Sequence, residues 1–110
     1  MSDPSLPRAT REMVDRRRAL APAAEDAFRA FSKAVFADGA LDRRTKQLIA
    51  VAVAHVTQCP WCIEGHVKAA GREGASPEQI MEAIWVAAEM RAGASYAHAL
   101  KAVQAMGEVG

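Results

Sequence analysis

The chain has 110 residues and a mass of 11.8 kDa, with 25% charged and 51% hydrophobic side chains. That length suits a single domain over 1–110, able to bury roughly two-thirds of its unfolded surface, and the composition excludes wholesale disorder. With 14 basic and 13 acidic side chains the net charge is +1, so no electrostatic footprint for nucleic acid or an anionic membrane is present.

Alanine supplies 25 of the 110 residues while aromatics reach only 5%. Alanine is the best helix former and a poor filler of large volumes, so closely packed helices, an all-α fold, are expected. No run of 18 apolar residues suggests a membrane-spanning helix, and residues 1–7 lack the basic and apolar regions of a signal peptide. The expected compartment is the cytoplasm, where structural disulfides are uncommon.

In chain order, residues 1–8 contain Pro4 and Pro7 and read as a flexible lead-in. Thr10 can cap a short basic helix ending at Leu20. Pro22 then starts a second helix, reaching about Asp38 before Gly39, with Ala24, Ala27, Phe28, Phe31 and Val35 on one apolar face. The basic run Arg16-Arg17-Arg18 lacks interleaved aromatics, so it reads as a solvated face or subunit contact. A third helix is expected from Asp42 to about Gln58. Its centre, residues 48–54, is apolar all round. Ile49, Val51 and Val53 also alternate as in a buried strand, but the segment is long and its flanks favour helix. A helix without a polar face must be covered on every side, which predicts a homo-oligomer.

A fourth helix should run from Cys59 or Pro60 to Glu73, ended by Gly74, with proline in the first turn. Ser76-Pro77-Glu78-Gln79 is a capping box opening a fifth helix that buries Ile80, Ala83, Ile84, Ala87 and Ala88. Gly93 is expected to break it, leaving a sixth over about 95–106. The total is five to six helices.

The chemistry concentrates in residues 55–66, where Cys59-Pro60-Trp61-Cys62 is followed by His66. Cysteines two residues apart staple almost nothing and point to redox or metal chemistry. On a helix Cys62 and His66 are i, i+4 neighbours. Cys59, Cys62, Ile63, His66, Val67 and Ala70 share one stripe, so the sulfurs and imidazole should sit half-buried, with Lys68 and Arg72 turned elsewhere. The positive end of the helix and an adjacent histidine both favour a thiolate. A second cysteine can then close a disulfide on a sulfenic acid, as a peroxidatic and a resolving thiol do.

Other readings compete. Zinc would draw on His55, Cys59, Cys62 and His66, but 55 and 66 lie ~16 Å apart on a continuous helix, so no metal is expected. Covalent haem requires histidine directly after the second cysteine, where Ile63 stands. A thioredoxin-type site requires a preceding strand. The plain alternative is a pair of inert half-buried thiols. As a lone residue, His55 is more often a hydrogen-bonded structural group than part of a proton relay. Tyr96 and His98 read as capping or packing groups, and Met81, Trp85 and Met90 as core or subunit contacts. The exposure of Trp61 is undecided.

Residues 45–54, followed by Cys59-x-x-Cys62-x-x-x-His66, resemble the AhpD-like alkylhydroperoxidase branch of the carboxymuconolactone decarboxylase superfamily. Residues 85–93 resemble that family's following helix and its glycine, and the likeness covers about 25–106. The resemblance implies an all-helical fold assembled as trimers or hexamers. It implies thiol-dependent reduction of a hydroperoxide without a bound cofactor, the disulfide being re-reduced by an external dithiol such as dihydrolipoamide, a lipoyl-type partner. It gives Cys62 the peroxidatic role, Cys59 the resolving role and His66 the proton relay. The helical neighbourhood of Cys62 and His66 agrees, while the nearness of Cys59 to the helix terminus leaves the reverse order open.

One departure stands out. The family pattern has a glutamate twelve residues before the first cysteine, and here that position is Gln47. Glutamine orients an imidazole or a water but does not exchange a proton at neutral pH. Glu64 lies ~200° around the helix from Cys62, and Glu82 or Glu89 would be the substitutes. Weak peroxidase turnover, or a different physiological reaction, is therefore expected. The competing functions are a lactone decarboxylase, which would not need the thiol pair, and a non-catalytic helical binding module whose thiols sense redox state.

Overall fold

The structure is a computed structural model that describes residues 6–109, so most of the expected 1–8 lead-in lies outside the described residues. Five helices follow one another: α1 (Arg11–Leu20), α2 (Pro22–Phe36), α3 (Arg43–Thr57), α4 (Pro60–Arg72) and α5 (Pro77–Val109), with no strand among the described residues. The chain forms two compact units, divided between Asp38 and Gly39.

In the first unit Thr10 caps α1, its hydroxyl accepting the Met13 N–H at 3.2 Å. Pro22 opens α2 directly after the Ala21 joint. The basic run is partly taken up within the chain. Arg18 meets Asp26 at 2.8 Å and Arg17 meets Glu25 at 3.4 Å, lacing α1 to α2. The α2 apolar face is not covered within this unit: Phe28 and Phe31 are 64% and 63% exposed, their rings 6.4 Å apart. A pair of short helices has too little surface to bury such a face.

The second unit holds the core. Asp42 caps α3, accepting the Thr45 N–H at 2.8 Å. The alternating stretch 48–54 is helical, as its flanks and length require. Val51 and Ala54 of α3 are buried, together with Ala70 of α4, Ala75 and Ala87. Leu48, Val67, Ile80 and Ile84 pack around the Val51–Ala70–Ala75 cluster. Val51 is the largest fully buried side chain, so this core works by close approach of alanine-rich helices. Coverage of α3 is one-sided, because Ile49, Val53 and Val56 stay about half exposed.

Two turns set the ends of α4. Gln58 adopts the left-handed conformation (φ 56), and the Cys59 N–H reaches back to the Ala54 carbonyl at 3.2 Å. At the far end Gly74 takes φ 91, which a glycine adopts without strain, and the Ala75 N–H closes onto the Ala70 carbonyl. The capping box then forms in both directions: Gln79 N–H donates to Ser76 Oγ at 3.1 Å, and Ser76 N–H to Gln79 Oε1 at 2.9 Å.

The expected sixth helix does not exist. α5 runs unbroken through Gly93 for 33 residues. A single interior glycine costs only about 1 kcal/mol relative to alanine, and the alanines at 88, 92, 94 and 97 propagate the helix across it. Ala88 is also exposed rather than buried, since only one face of α5 meets α3 and α4. No helix among the described residues is long and apolar enough to cross a membrane.

Candidate functional site

The left-handed turn at Gln58 makes Cys59 the N-cap of α4, with Pro60 at the first helical position, where its missing N–H is not needed. Cysteine here does the work usually done by serine or aspartate. Its sulfur accepts the Cys62 N–H at 3.3 Å. Both cysteines are half-buried and unbridged.

The two thiols differ in acidity. Cys59 is held below the ordinary cysteine range by the Cys62 thiol donating to it, and further by the backbone N–H groups of Cys62 and Trp61. Cys62 is pushed up, because its proton is engaged by Cys59 and because burial and the neighbouring negative charge oppose ionisation. At the N-terminus of α4 the helix dipole also favours negative charge on the Cys59 sulfur.

His66 lies one turn beyond Cys62 on α4 and is half-buried. Its Nδ1 stands 2.7 Å from Gln47 Oε1 on α3. An amide oxygen only accepts, so Nδ1 donates to Gln47. The structure therefore joins Gln47 on α3 to His66 on α4, with Cys62 one turn before His66 and Cys59 at the cap of the same helix.

His55 is used differently. Its Nδ1 donates to the Val51 carbonyl one turn back, at 2.7 Å. His98 makes the same backbone bond to Ala94, on an exposed part of α5. Glu64 is bridged to Lys68 at 2.9 Å on the exposed side of α4, while Glu82 and Glu89 are exposed on α5. Among the described residues no group of three or more histidine, cysteine, aspartate or glutamate side chains is placed to hold a metal ion.

Two contributors were not foreseen from the sequence. Gln58 supplies the left-handed turn that makes Cys59 a cap, and the only sequence signal was its place just before Cys-Pro. Arg91, 35 residues beyond Val56, donates to the Val56 carbonyl at 3.0 Å and ties the last turn of α3 to α5. No local pattern announces so distant a partner.

The carboxymuconolactone decarboxylase family model matches residues 22–105, including the cysteine pair, Gln47 and His66. The chain belongs to this family. It is 70% identical over 109 residues to protein 4 of the cox locus of Paracoccus denitrificans, spanning 99% of this chain and 97% of that one. Among solved structures it is similar to a family member from Legionella pneumophila in its apo form, with 34% identity and TM-score 0.70 over 88% of this chain and 87% of the other. A family protein from Thermotoga maritima, put forward as a candidate for a role in an antioxidative response, aligns with 28% identity and TM-score 0.56. That alignment spans 80% of this chain and 97% of that one.

Proposed function

We propose that this family member is a thiol-dependent peroxidase and disulfide oxidoreductase that reduces organic hydroperoxides with Cys59, Cys62 and His66. The observation that carries the reading is the unbridged cysteine pair at the α4 N-terminus, where Cys59 Sγ accepts the Cys62 N–H at 3.3 Å. The antioxidative role put forward for the Thermotoga maritima relative points the same way. A lactone decarboxylase would have no use for such a pair.

In this reading His66 takes the proton of Cys62, whose raised pKa makes a base necessary. The Cys62 thiolate attacks the outer peroxide oxygen, the O–O bond breaks, and the departing alkoxide takes the proton back from His66 as it becomes the alcohol. Cys62 is left as a sulfenic acid. Cys59, already inclined to the thiolate, attacks the Cys62 sulfur, and hydroxide leaves as water once protonated. An external dithiol such as dihydrolipoamide then reduces the disulfide by two exchange steps and closes its own ring. No bound cofactor is required. Gln47 holds the imidazole without exchanging a proton, so turnover is slow.

A second order is favoured by one specific observation. Cys59 is the more acidic sulfur, so it can attack unaided, with Cys62 resolving. Intact-mass analysis after one equivalent of cumene hydroperoxide separates the two. Trapped sulfenic acid in Cys59→Ser alone supports attack by Cys62, and in Cys62→Ser alone the reverse. If wild type keeps both thiols at the rate of an ordinary cysteine, the peroxidase reading fails, and decarboxylase or binding roles move ahead. Disulfide formation without turnover would favour a redox-sensing module.

We further propose that the protein works as a homo-oligomer, a trimer or hexamer. The half-exposed row Ile49, Val53 and Val56 on α3 supports this, since it is apolar surface that one chain leaves uncovered.

A further inference from the structure

The turn that presents Cys59 is held from a third helix. Cys59 caps α4 because Gln58 takes the left-handed conformation, φ 56, which crowds the Cβ of any residue but glycine against the following carbonyl oxygen. A residue strained in this way persists where its surroundings fix it. Within the turn, the Gln58 and Cys59 N–H groups both reach the Ala54 carbonyl. The Val56 carbonyl is served differently. An α-helix would offer it the N–H of residue 60, and Pro60 has none. Arg91 fills that place, donating to the Val56 carbonyl from a guanidinium nitrogen at 3.0 Å. Arg91 stands one turn beyond the buried Ala87, so the face of α5 that enters the core also carries the guanidinium to the end of α3. A cation is favourable at that end of a helix.

We propose that Arg91 is a positioning residue for the cysteine pair: its bond to the Val56 carbonyl clamps the left-handed turn that seats Cys59 as the cap of α4. This rests on the cysteine pair being the reactive centre of the proposed function. Every cause that lowers the Cys59 thiol is a hydrogen bond, from the Cys62 thiol and from the backbone N–H groups of Cys62 and Trp61. Those bonds exist while Cys59 keeps its cap position, where its sulfur accepts the Cys62 N–H at 3.3 Å. Arg91 therefore acts through the geometry of the turn and not through its charge at the sulfur. If the clamp is released, Gln58 can leave the strained conformation and Cys59 leaves the cap with it.

Iodoacetamide alkylation of the reduced protein, followed at Cys59 by peptide mass across a pH series, tests this without any peroxide. Arg91→Met keeps an apolar stem of similar length and removes the donors. Its Cys59 should react about threefold more slowly than in wild type near neutral pH, and within about 1.5-fold of it at about pH 10, where that thiol is ionised in both. Arg91→Lys keeps a donor and should recover most of the loss. Gln58→Gly relieves the turn, so in that background Arg91→Met should change the rate by less than about 1.5-fold. An unchanged profile in Arg91→Met overturns the proposal, as does equal slowing at every pH, which reports access and not acidity. Full slowing in the Gln58→Gly background overturns it too, since a charge acting directly on the sulfur does not need the turn. Loss of the helical circular dichroism signal, or a changed mass in sedimentation equilibrium, would make Arg91 a stability or subunit residue and overturns it as well. If no hydroperoxide is turned over, the peroxidase reading falls, and these rates still decide the clamp.

Discussion

Each residue of the cysteine pair changes the chemistry of the other. The first cause of the low Cys59 pKa is the Cys62 thiol, and the first cause of the high Cys62 pKa is the same bond seen from the other side. Cys62→Ala should therefore move the Cys59 titration up toward the ordinary thiol value, and Cys59→Ala should bring Cys62 down. The pH dependence of iodoacetamide alkylation, read by mass, measures both. In wild type the first thiol should become reactive at a lower pH than a free cysteine, because a lowered pKa gives more thiolate at any given pH below it. At Gln47 the expected outcome of Gln47→Glu is a rise in peroxide turnover of roughly tenfold or more, within the range that proton relays supply. An unchanged rate in that variant, together with an unchanged rate in Cys62→Ser, would remove the thiol–relay mechanism altogether.

At the scale of the element, helix ends and one helix middle carry the testable consequences. Ser76 and Gln79 satisfy each other's backbone N–H groups, so Ser76→Ala should cost about 1 kcal/mol in urea unfolding. Gly93 lies inside α5, and a Cβ there would meet only the mobile end of Glu89, at 3.4 Å. Gly93→Ala is accordingly expected to stabilise by about 0.5–1 kcal/mol; destabilisation would mean that the helix does break at this point. Gly74 is the opposite case. At φ 91 any side chain is strained, and Gly74→Ala should destabilise by roughly 1–2 kcal/mol. These three variants, compared by denaturant midpoint, separate a glycine that terminates from one that is merely tolerated.

For the whole molecule, the decisive quantity is how little each unit buries. A core whose largest fully buried side chain is Val51 leaves many large apolar groups in water, which is the physical case for self-association. Val53→Glu on the exposed α3 row should lower the mass seen by sedimentation equilibrium while the helical circular dichroism signal is retained. A monomeric wild-type protein would show instead that the row serves something other than a second copy.

Much of this was legible in one dimension because its causes are local. Thr10, Asp42 and the Ser76–Gln79 box announce helix starts through side chains that reach only two or three residues. The Cys59–Cys62–His66 spacing places its groups on one helix whatever surrounds them, and alanine-rich stretches make helix the default. Gly93 misled because a propensity of about 1 kcal/mol is a weak signal beside the flanking alanines. The rest belonged to tertiary structure because it depends on partners far apart in the chain. Gln47 reaches His66 only when α3 packs on α4, and Arg91 reaches Val56 only when α5 packs on α3. The sequence by itself determined where the helices begin and which residues are candidates for chemistry, through hydrogen bonds and periodicities within a few residues. Only the folded chain decided which nitrogen of His66 donates to Gln47 and which sulfur is the more acidic, because both depend on where a hydrogen-bond partner stands in space.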